Sequence, residues 1–307
     1  MSSMVQIPLI AKWCYHLAVS GGDIVRHVAE SGRLNVTNKA DLNVDFDPTT
    51  DADRQAQAWI IGNLRHQFPT IAIIGEEDQY DCASALANIP ESVDHDPYFL
   101  DSAWDSNLIF AKPEDVRIFV DPVDGTKDLT KGSHEAVTTL IGIAVADKPV
   151  YGVIHYPFSG KTVHAAVGHS NHQNAVKSDP KCAEDNIVVT TKSHFDDYLK
   201  SYFEELHPQP SKVLRVGGCG HKAVLVLEGD ADAYVYPREG TKKWDTCAPH
   251  AIIRSFNGHF VDRYGNELTY DANSPIGNED GMICTMAADP SLYTLTANDH
   301  SNPSCSH

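Results

Sequence analysis

Val116-Arg117-Ile118-Phe119-Val120-Asp121-Pro122-Val123-Asp124-Gly125-Thr126 runs from an apolar strand straight into two carboxylates. A carboxylate at the end of a buried strand is costly unless something compensates its charge. Proline, aspartate and glycine are also ordinary turn residues, so the segment alone reads equally well as a strand closed by a structural turn. A second short buried strand, Ile71-Ala72-Ile73-Ile74, delivers Gly75-Glu76-Glu77-Asp78 at its end in the same way. Two carboxylates about 4 Å apart repel by roughly 4 kcal/mol at an effective dielectric of about 20, so a cluster of them calls for cations. Hard oxygen donors from a few carboxylates suit magnesium best.

Spacing narrows the chemistry. The pattern Asp-x-Asp-Gly-Thr would make the first aspartate a nucleophile towards phosphorus, but here two residues separate Asp121 from Asp124. A regular strand puts such positions on opposite faces, whereas a turn at Pro122 could wrap both around an ion. The reading favoured is attack by a metal-activated water without a covalent intermediate. A calcium-binding EF-hand loop is not matched, because it needs alternating acids before the glycine and a glutamate further on.

Outward from this segment, apolar residues at helical spacing (Leu9, Trp13, Leu17, Ile24) predict a helix over residues 5–30, with a bend at Gly21-Gly22 and a stop at Ser31-Gly32. A second amphipathic helix is expected over 53–68. Residues 80–115 are acid-rich, with Lys112 the one base and no sustained period, and read as a solvated excursion. Near-continuous apolar runs over 137–146 and 150–156 suggest strands covered on both faces. The second half alternates strands (187–191, 213–216, 231–236) with helices (194–206, 219–228, 244–256), then short strands to about 286 and a disordered tail. The expectation is an α+β half, residues 1–160, carrying most metal ligands, followed by an α/β half, residues 161–307, with the site where they meet.

Composition bounds the rest. With 307 residues and 42% hydrophobic residues, the chain can bury a full core. Seven scattered cysteines without a Cys-x-x-Cys pair fit a reduced compartment, and no apolar run reaches the length of a membrane span. Together with the absence of a leader at the N-terminus, this predicts a cytoplasmic protein with no membrane partner. A net charge of −18 excludes non-specific nucleic-acid binding, yet bound cations can make a site locally positive. His169 and His172 lie in a polar stretch with no third zinc ligand in view.

Gly75 to Asp78, Asp121 to Lys127, and Lys243-Trp244-Asp245-Thr246-Cys247-Ala248-Pro249 together resemble the lithium-sensitive, magnesium-dependent phosphatases related to inositol monophosphatase. Arg215-Val216-Gly217-Gly218-Cys219-Gly220-His221-Lys222 and the Lys242 to Asp245 run are most similar to its 3′(2′),5′-bisphosphate nucleotidase branch, and the resemblance covers nearly the whole chain, to about Leu295. It implies a layered αβαβα sandwich, two or three magnesium ions, side-chain ligands Glu76, Asp121, Asp124 and Asp245, and the Val123 carbonyl as a further ligand. Asp53 and Thr126 match the pair that activates the attacking water. The chemistry needs both, since a threonine hydroxyl is too weak a base alone. Asp53 also reads as a helix cap. Backbone N–H groups of Gly125 and Thr126 would meet the phosphoryl oxygens.

Thr191, His194, Gly218 and Lys222 match positions that hold the nucleotide; each also has a plain structural reading, as strand end, helix cap, turn glycine and solvated helix residue. The chain departs from the branch at His221, where an asparagine is common, and over 164–186, which lacks a Gly-rich hairpin. By resemblance the reaction is removal of the 3′-phosphate of adenosine 3′,5′-bisphosphate or its sulfated relative, 3′-phosphoadenylyl sulfate, linking the protein to nucleotide metabolism and sulfate assimilation. A small phosphorylated nucleotide is the expected partner and a monomer the expected state. The rivals are an inositol polyphosphate 1-phosphatase or inositol monophosphatase, and a non-catalytic metal-binding regulator.

Overall fold

The computed structural model describes residues 4–39, 47–77, 104, 106–107, 109–168 and 186–295. Two short strands, β1 (Val5–Gln6) and β5 (Phe110–Ala111), pair with each other, and α1 (Ile7–Glu30) follows β1 directly. The helix passes through Gly21 and Gly22 without a break. Both glycines are packing positions rather than a bend, because a Cβ at Gly21 would press on Ile60 and one at Gly22 on His155. The hairpin β2 (Thr37–Asn38) and β3 (Pro48–Thr49) leads into α2 (Asp51–Gln67), whose N-cap Thr50 and N3 residue Asp53 form a reciprocal capping box.

β4 (Ala72–Gly75), β6 (Val116–Asp124), β7 (Thr138–Val145), β8 (Lys148–His155) and β9 (Thr162–Ala166) form the first sheet, in that order. β4 runs parallel to β6, and the other neighbours are antiparallel. β9 had no counterpart among the expected strands and carries this sheet past residue 160. The helices α1 and α2 bury Ile10, Cys14, Leu17, Ile60 and Leu64 against Val116, Ile118, Ile141 and Tyr151 of the sheet. The second sheet runs β11 (Lys212–Val216), β10 (Ile187–Thr191), β12 (Ala233–Tyr236), β14 (Met282–Thr285), β13 (His259–Val261). Its first three strands are parallel, and β14 is antiparallel to both β12 and β13.

Between the sheets lie α5 (Cys219–Leu227) and α6 (Lys243–Ser255), whose Ala223, Val224, Ala248 and Ile252 share one core with Leu140 and Ile154 of the first sheet and Val188, Val235 and Ile283 of the second. Gly142 and Gly152 let α6 approach closely, for a Cβ on either would strike the Ala248 backbone. The helix α4 (Asp197–Glu205) buries Leu199, Tyr202 and Phe203 in that same core. The result is the expected layered αβαβα sandwich. No described helix is long and apolar enough to cross a membrane. Cys14, Cys219, Cys247 and Cys284 are free and buried. Most of the acid-rich 80–115 stretch, His169, His172, most of 164–186 and the tail after Leu295 lie outside the described residues.

Candidate active site

β6 does not stop at Val120 for a proline turn; it continues to Asp124 through a bulge. Asp121 pairs with Leu140 and Asp124 with Thr138, so three steps along β6 match two along β7. One inserted residue converts an odd offset into an even one and brings both carboxylates to the same face. Pro122, lacking an N–H, costs the ladder nothing there, and its carbonyl accepts a hydrogen bond from Thr139 Oγ1 at 2.9 Å.

Asp245 enters from the other side of the sandwich. It is N3 of α6, fixed by the Lys242 backbone N–H donating to Oδ2 at 2.6 Å. Asp121, Asp124 and Asp245 present oxygens that all lie within 4.8 Å of one another. The Asp121 carboxyl is pushed well up by burial and then by Glu76, Asp124 and Asp245, and Asp245 is raised by burial and then by Glu76 and Asp124. Asp124 is raised by burial too, against the opposing pull of Lys222 and of two backbone amides. Those amides, Cys219 N and Gly220 N, donate to its two oxygens at 2.8 and 2.7 Å, and Thr138 Oγ1 donates at 2.9 Å. Asp124 thereby closes the first turn of α5 and ties the two sheets together at the site.

Three mutually repelling carboxylates, Asp121 and Asp124 buried and Asp245 half-buried, with no histidine or thiolate among them, are a donor set that fits a hard divalent cation. Glu76 lines the same cleft, with its Oε1 2.7 Å from Lys39 Nζ; Glu77 Oε1 lies 2.7 Å from the same ammonium. Burial opposes the charge on Lys39, yet the two glutamates hold its pKa well above the usual lysine value. Nothing in the sequence pointed to Lys39, since it reaches Glu76 only through the fold.

Thr126 begins the short helix α3 (Thr126–Leu129), after Gly125 at φ +92°. Its Oγ1 lies 2.9 Å from Asp53 Oδ1 and 2.8 Å from the Val123 carbonyl. The other Asp53 oxygen accepts from Thr50 N at 2.8 Å and Thr50 Oγ1 at 2.5 Å. Asp53 is fully buried, and burial raises its carboxyl to about 7, with Glu76 and Glu77 adding to the rise and the Thr50 bond opposing it. Asp53 is not itself the N-cap, which is Thr50; as the N3 residue one of its oxygens closes the capping box and the other meets the Thr126 hydroxyl.

A cleft of about 230 Å³ is lined by Glu76, Asp121, Val123, Asp124, Gly125, Thr126 and Asp245 together with His194 and Gly218. Thr191 is not in the lining, although Lys192, Ser193 and His194 directly after it are. Lys222 is not the solvated helix residue of the plain reading: it is 4% exposed, donates to the Gly218 carbonyl at 2.5 Å, and lies 4.9 Å from the Tyr234 ring centre. His221, the departure from the branch, pairs its Nδ1 with Tyr156 OH at 3.1 Å. Lys127, the last residue of the Asp121 to Lys127 motif, also lines the cleft, as do Lys131 and Lys192, which were not singled out in the sequence, where isolated lysines carry no pattern.

The fold and cleft define a class: a layered sandwich with a cation-seeking carboxylate cluster beside a buried hydroxyl–carboxylate pair. A model of the inositol monophosphatase family matches residues 9–296. The chain is 36% identical to 3′(2′),5′-bisphosphate nucleotidase 1 of Dictyostelium discoideum, over 97% of this chain and 99% of that protein. It is also 36% identical to the Homo sapiens protein of the same name, over 93% and 92%. Among solved structures, extragenic suppressor protein suhB from Bartonella henselae aligns with TM-score 0.66 at 20% identity, over 90% of this chain and 93% of that one. The chain belongs to the inositol monophosphatase family, a family of metal-dependent phosphatases.

Proposed function

We propose that the protein is a magnesium-dependent phosphomonoesterase that removes the 3′-phosphate of adenosine 3′,5′-bisphosphate, and of 3′-phosphoadenylyl sulfate, by attack of water. The observation that carries this reading is the 2.9 Å contact of Thr126 Oγ1 with Asp53 beside the three-carboxylate cluster. A protein that only bound metal would have no use for a buried base poised on a hydroxyl. The substrate follows the Dictyostelium and human relatives, whose names specify a 3′(2′),5′-bisphosphate nucleotidase.

In this reading Glu76, Asp121, Asp124, Asp245 and the Val123 carbonyl hold two or three magnesium ions. Bound magnesium supplies Lewis acidity, acidifying water and neutralising phosphoryl charge. Asp53 accepts the proton that Thr126 passes on from the attacking water, while the two Thr50 bonds keep the carboxylate oriented. Backbone N–H groups of Gly125 and Thr126 meet the phosphoryl oxygens. His194 and Gly218 contact the nucleotide; Thr191 positions the segment that carries His194, and Lys222 acts from behind through the Gly218 carbonyl. Residues 1–160 thus supply most ligands, and residues 161–307 supply Asp245 and the substrate contacts. We further infer lithium sensitivity, through occupation of one magnesium position, together with a cytoplasmic location and a monomeric state.

With magnesium, the protein is expected to release phosphate from adenosine 3′,5′-bisphosphate faster than from inositol 1-phosphate, measured as kcat/KM on a panel with and without lithium. Equal or faster release from inositol 1-phosphate would replace the nucleotide reading with the inositol phosphatase one.

A further inference from the structure

Lys192 to Asp196 link β10 to α4 outside any strand or helix, and Lys192, Ser193 and His194 of this link line the cleft. With no ladder to fix it, the link takes its position from contacts that involve side chains. Arg215 Nη2 donates to the Lys192 carbonyl at 3.1 Å, and Asp196 pairs with Arg238, both within the second half of the chain. Two further contacts cross to the first half, and they come from consecutive residues of α3. Lys127 Nζ lies 3.2 Å from His194 Nε2, and Asp128 Oδ1 accepts from Lys192 Nζ at 3.1 Å. The two partners of that ion pair differ in exposure, since the Asp128 side chain is 8% exposed and that of Lys192 52%. A carboxylate withdrawn from water and paired with an exposed ammonium is a poor stabiliser of a fold, so its worth lies in what it places.

The same carboxylate fills the space that a Cβ on Gly217 would need, so Asp128 also seats the Gly217-Gly218 turn that opens α5 and lines the cleft. Its own backbone is fixed within the first half: Asp128 N donates to the Gly125 carbonyl at 2.9 Å, and its carbonyl accepts from Lys131 N and Ser133 N, each at 3.0 Å. Standing two residues after Thr126, it therefore touches both pieces of the facing wall. We propose that Asp128 is a positioning residue: by holding Lys192 and seating Gly217 it fixes His194 and Gly218 relative to Thr126, and so sets where the leaving group lies when water attacks. It acts through the wall rather than on the reacting atoms. This rests on the phosphatase reading of the cleft and adds to it a residue that aligns the organic part of the ester instead of its phosphoryl group.

The test is the ratio of kcat/KM for adenosine 3′,5′-bisphosphate to that for p-nitrophenyl phosphate, whose leaving group carries no nucleoside for that wall to hold. It is measured at fixed magnesium in the wild type, Asp128→Asn, Lys192→Met, the double variant and Lys192→Arg. A ratio within a single preparation is independent of the fraction folded, so a merely structural role would leave it unmoved. Asp128→Asn keeps the shape and removes the charge, and should lower the ratio by about tenfold, the worth of one charge-assisted contact. Lys192→Met should reproduce the loss, the double variant should lose no more than either single change, and Lys192→Arg should keep most of the wild-type ratio. An unchanged ratio in Asp128→Asn overturns the proposal, whether both substrates fall alike or neither falls. Additive losses in the double variant overturn it too, because the two residues would then act apart. If the wild type hydrolyses inositol 1-phosphate and not the nucleotide, the nucleotide reading fails separately, and inositol 1-phosphate takes the nucleotide's place in the same ratio with the same outcomes.

Discussion

In the proposed reaction Asp53 has to accept a proton at a position that already favours holding one. Burial raises its carboxyl to about 7, while the bonds from Thr50 favour the ionised form, so the group sits near the working pH of a general base. An asparagine there would keep the shape and invert the polarity. Its carbonyl oxygen would accept from Thr50 N–H, its amide would donate to Thr126 Oγ1, and the Thr126 hydroxyl would be left to donate to the Val123 carbonyl, 2.8 Å away. Asp53→Asn is therefore expected to lower kcat by about 100-fold or more, the usual worth of a general base. Thermal stability should be retained, because a buried charge has been removed. Unimpaired turnover in a steady-state assay with magnesium would take Asp53 out of the reaction.

At the scale of elements, two devices build the cluster: the β6 bulge and the N-terminus of α6. The latter is held by a buried polar chain in which Asn278 donates to Thr241 at 3.0 Å and Thr246 at 3.4 Å, and Tyr270 OH bridges Thr246 to His250. Thr246 follows Asp245 directly, so loosening this chain should loosen a proposed metal ligand. Asn278→Ala is expected to cost about 1–3 kcal/mol of stability through unsatisfied partners and to raise the magnesium concentration for half-maximal activity several-fold, with kcat at saturating magnesium largely kept. Gly152→Ala should destabilise by about 1–3 kcal/mol, measured by thermal melting, because the added methyl meets the Ala248 carbonyl where α6 rests on β8.

The same elements mark what was legible in advance. Helix and strand positions followed from apolar period, and Glu76, Asp121, Asp124 and Asp245 from acids at element ends together with a family resemblance. The bulge was not legible, because it is defined by register against β7 rather than by residue type. Lys39, Lys131 and Lys192 were missed because their meaning lies in what the fold places opposite them. Lys222 was given a plain alternative as a solvated residue because helical position alone does not reveal that Tyr234 and Gly218 enclose it.

Across the whole molecule, an acidic chain concentrates its unfavourable charge at one seam between two sheets. Asp53, Asp121, Asp124 and Asp245 are all raised above ordinary carboxylate values, chiefly by burial. The metal-free fold therefore binds more protons at these groups than the unfolded chain does. Their contribution to stability falls as pH rises from the ordinary carboxylate range through about 7, the value for Asp53 and Asp245. Buried His155, lowered to about 4, and His250, lowered to about 3, act in the opposite sense. They stay neutral in the fold and cost stability as pH falls below the ordinary histidine value, so total stability over pH 4–6.5 mixes opposing contributions and is a poor readout. The melting shift produced by magnesium is a better one. Neither histidine is among the clustered carboxylates, and binding of the ion must displace protons from the carboxylates themselves. The shift at millimolar magnesium is expected to be small at pH 5.5 and to grow steadily to pH 8. A shift of equal size at both values, read by scanning calorimetry, would mean that the ion binds elsewhere than at this cluster.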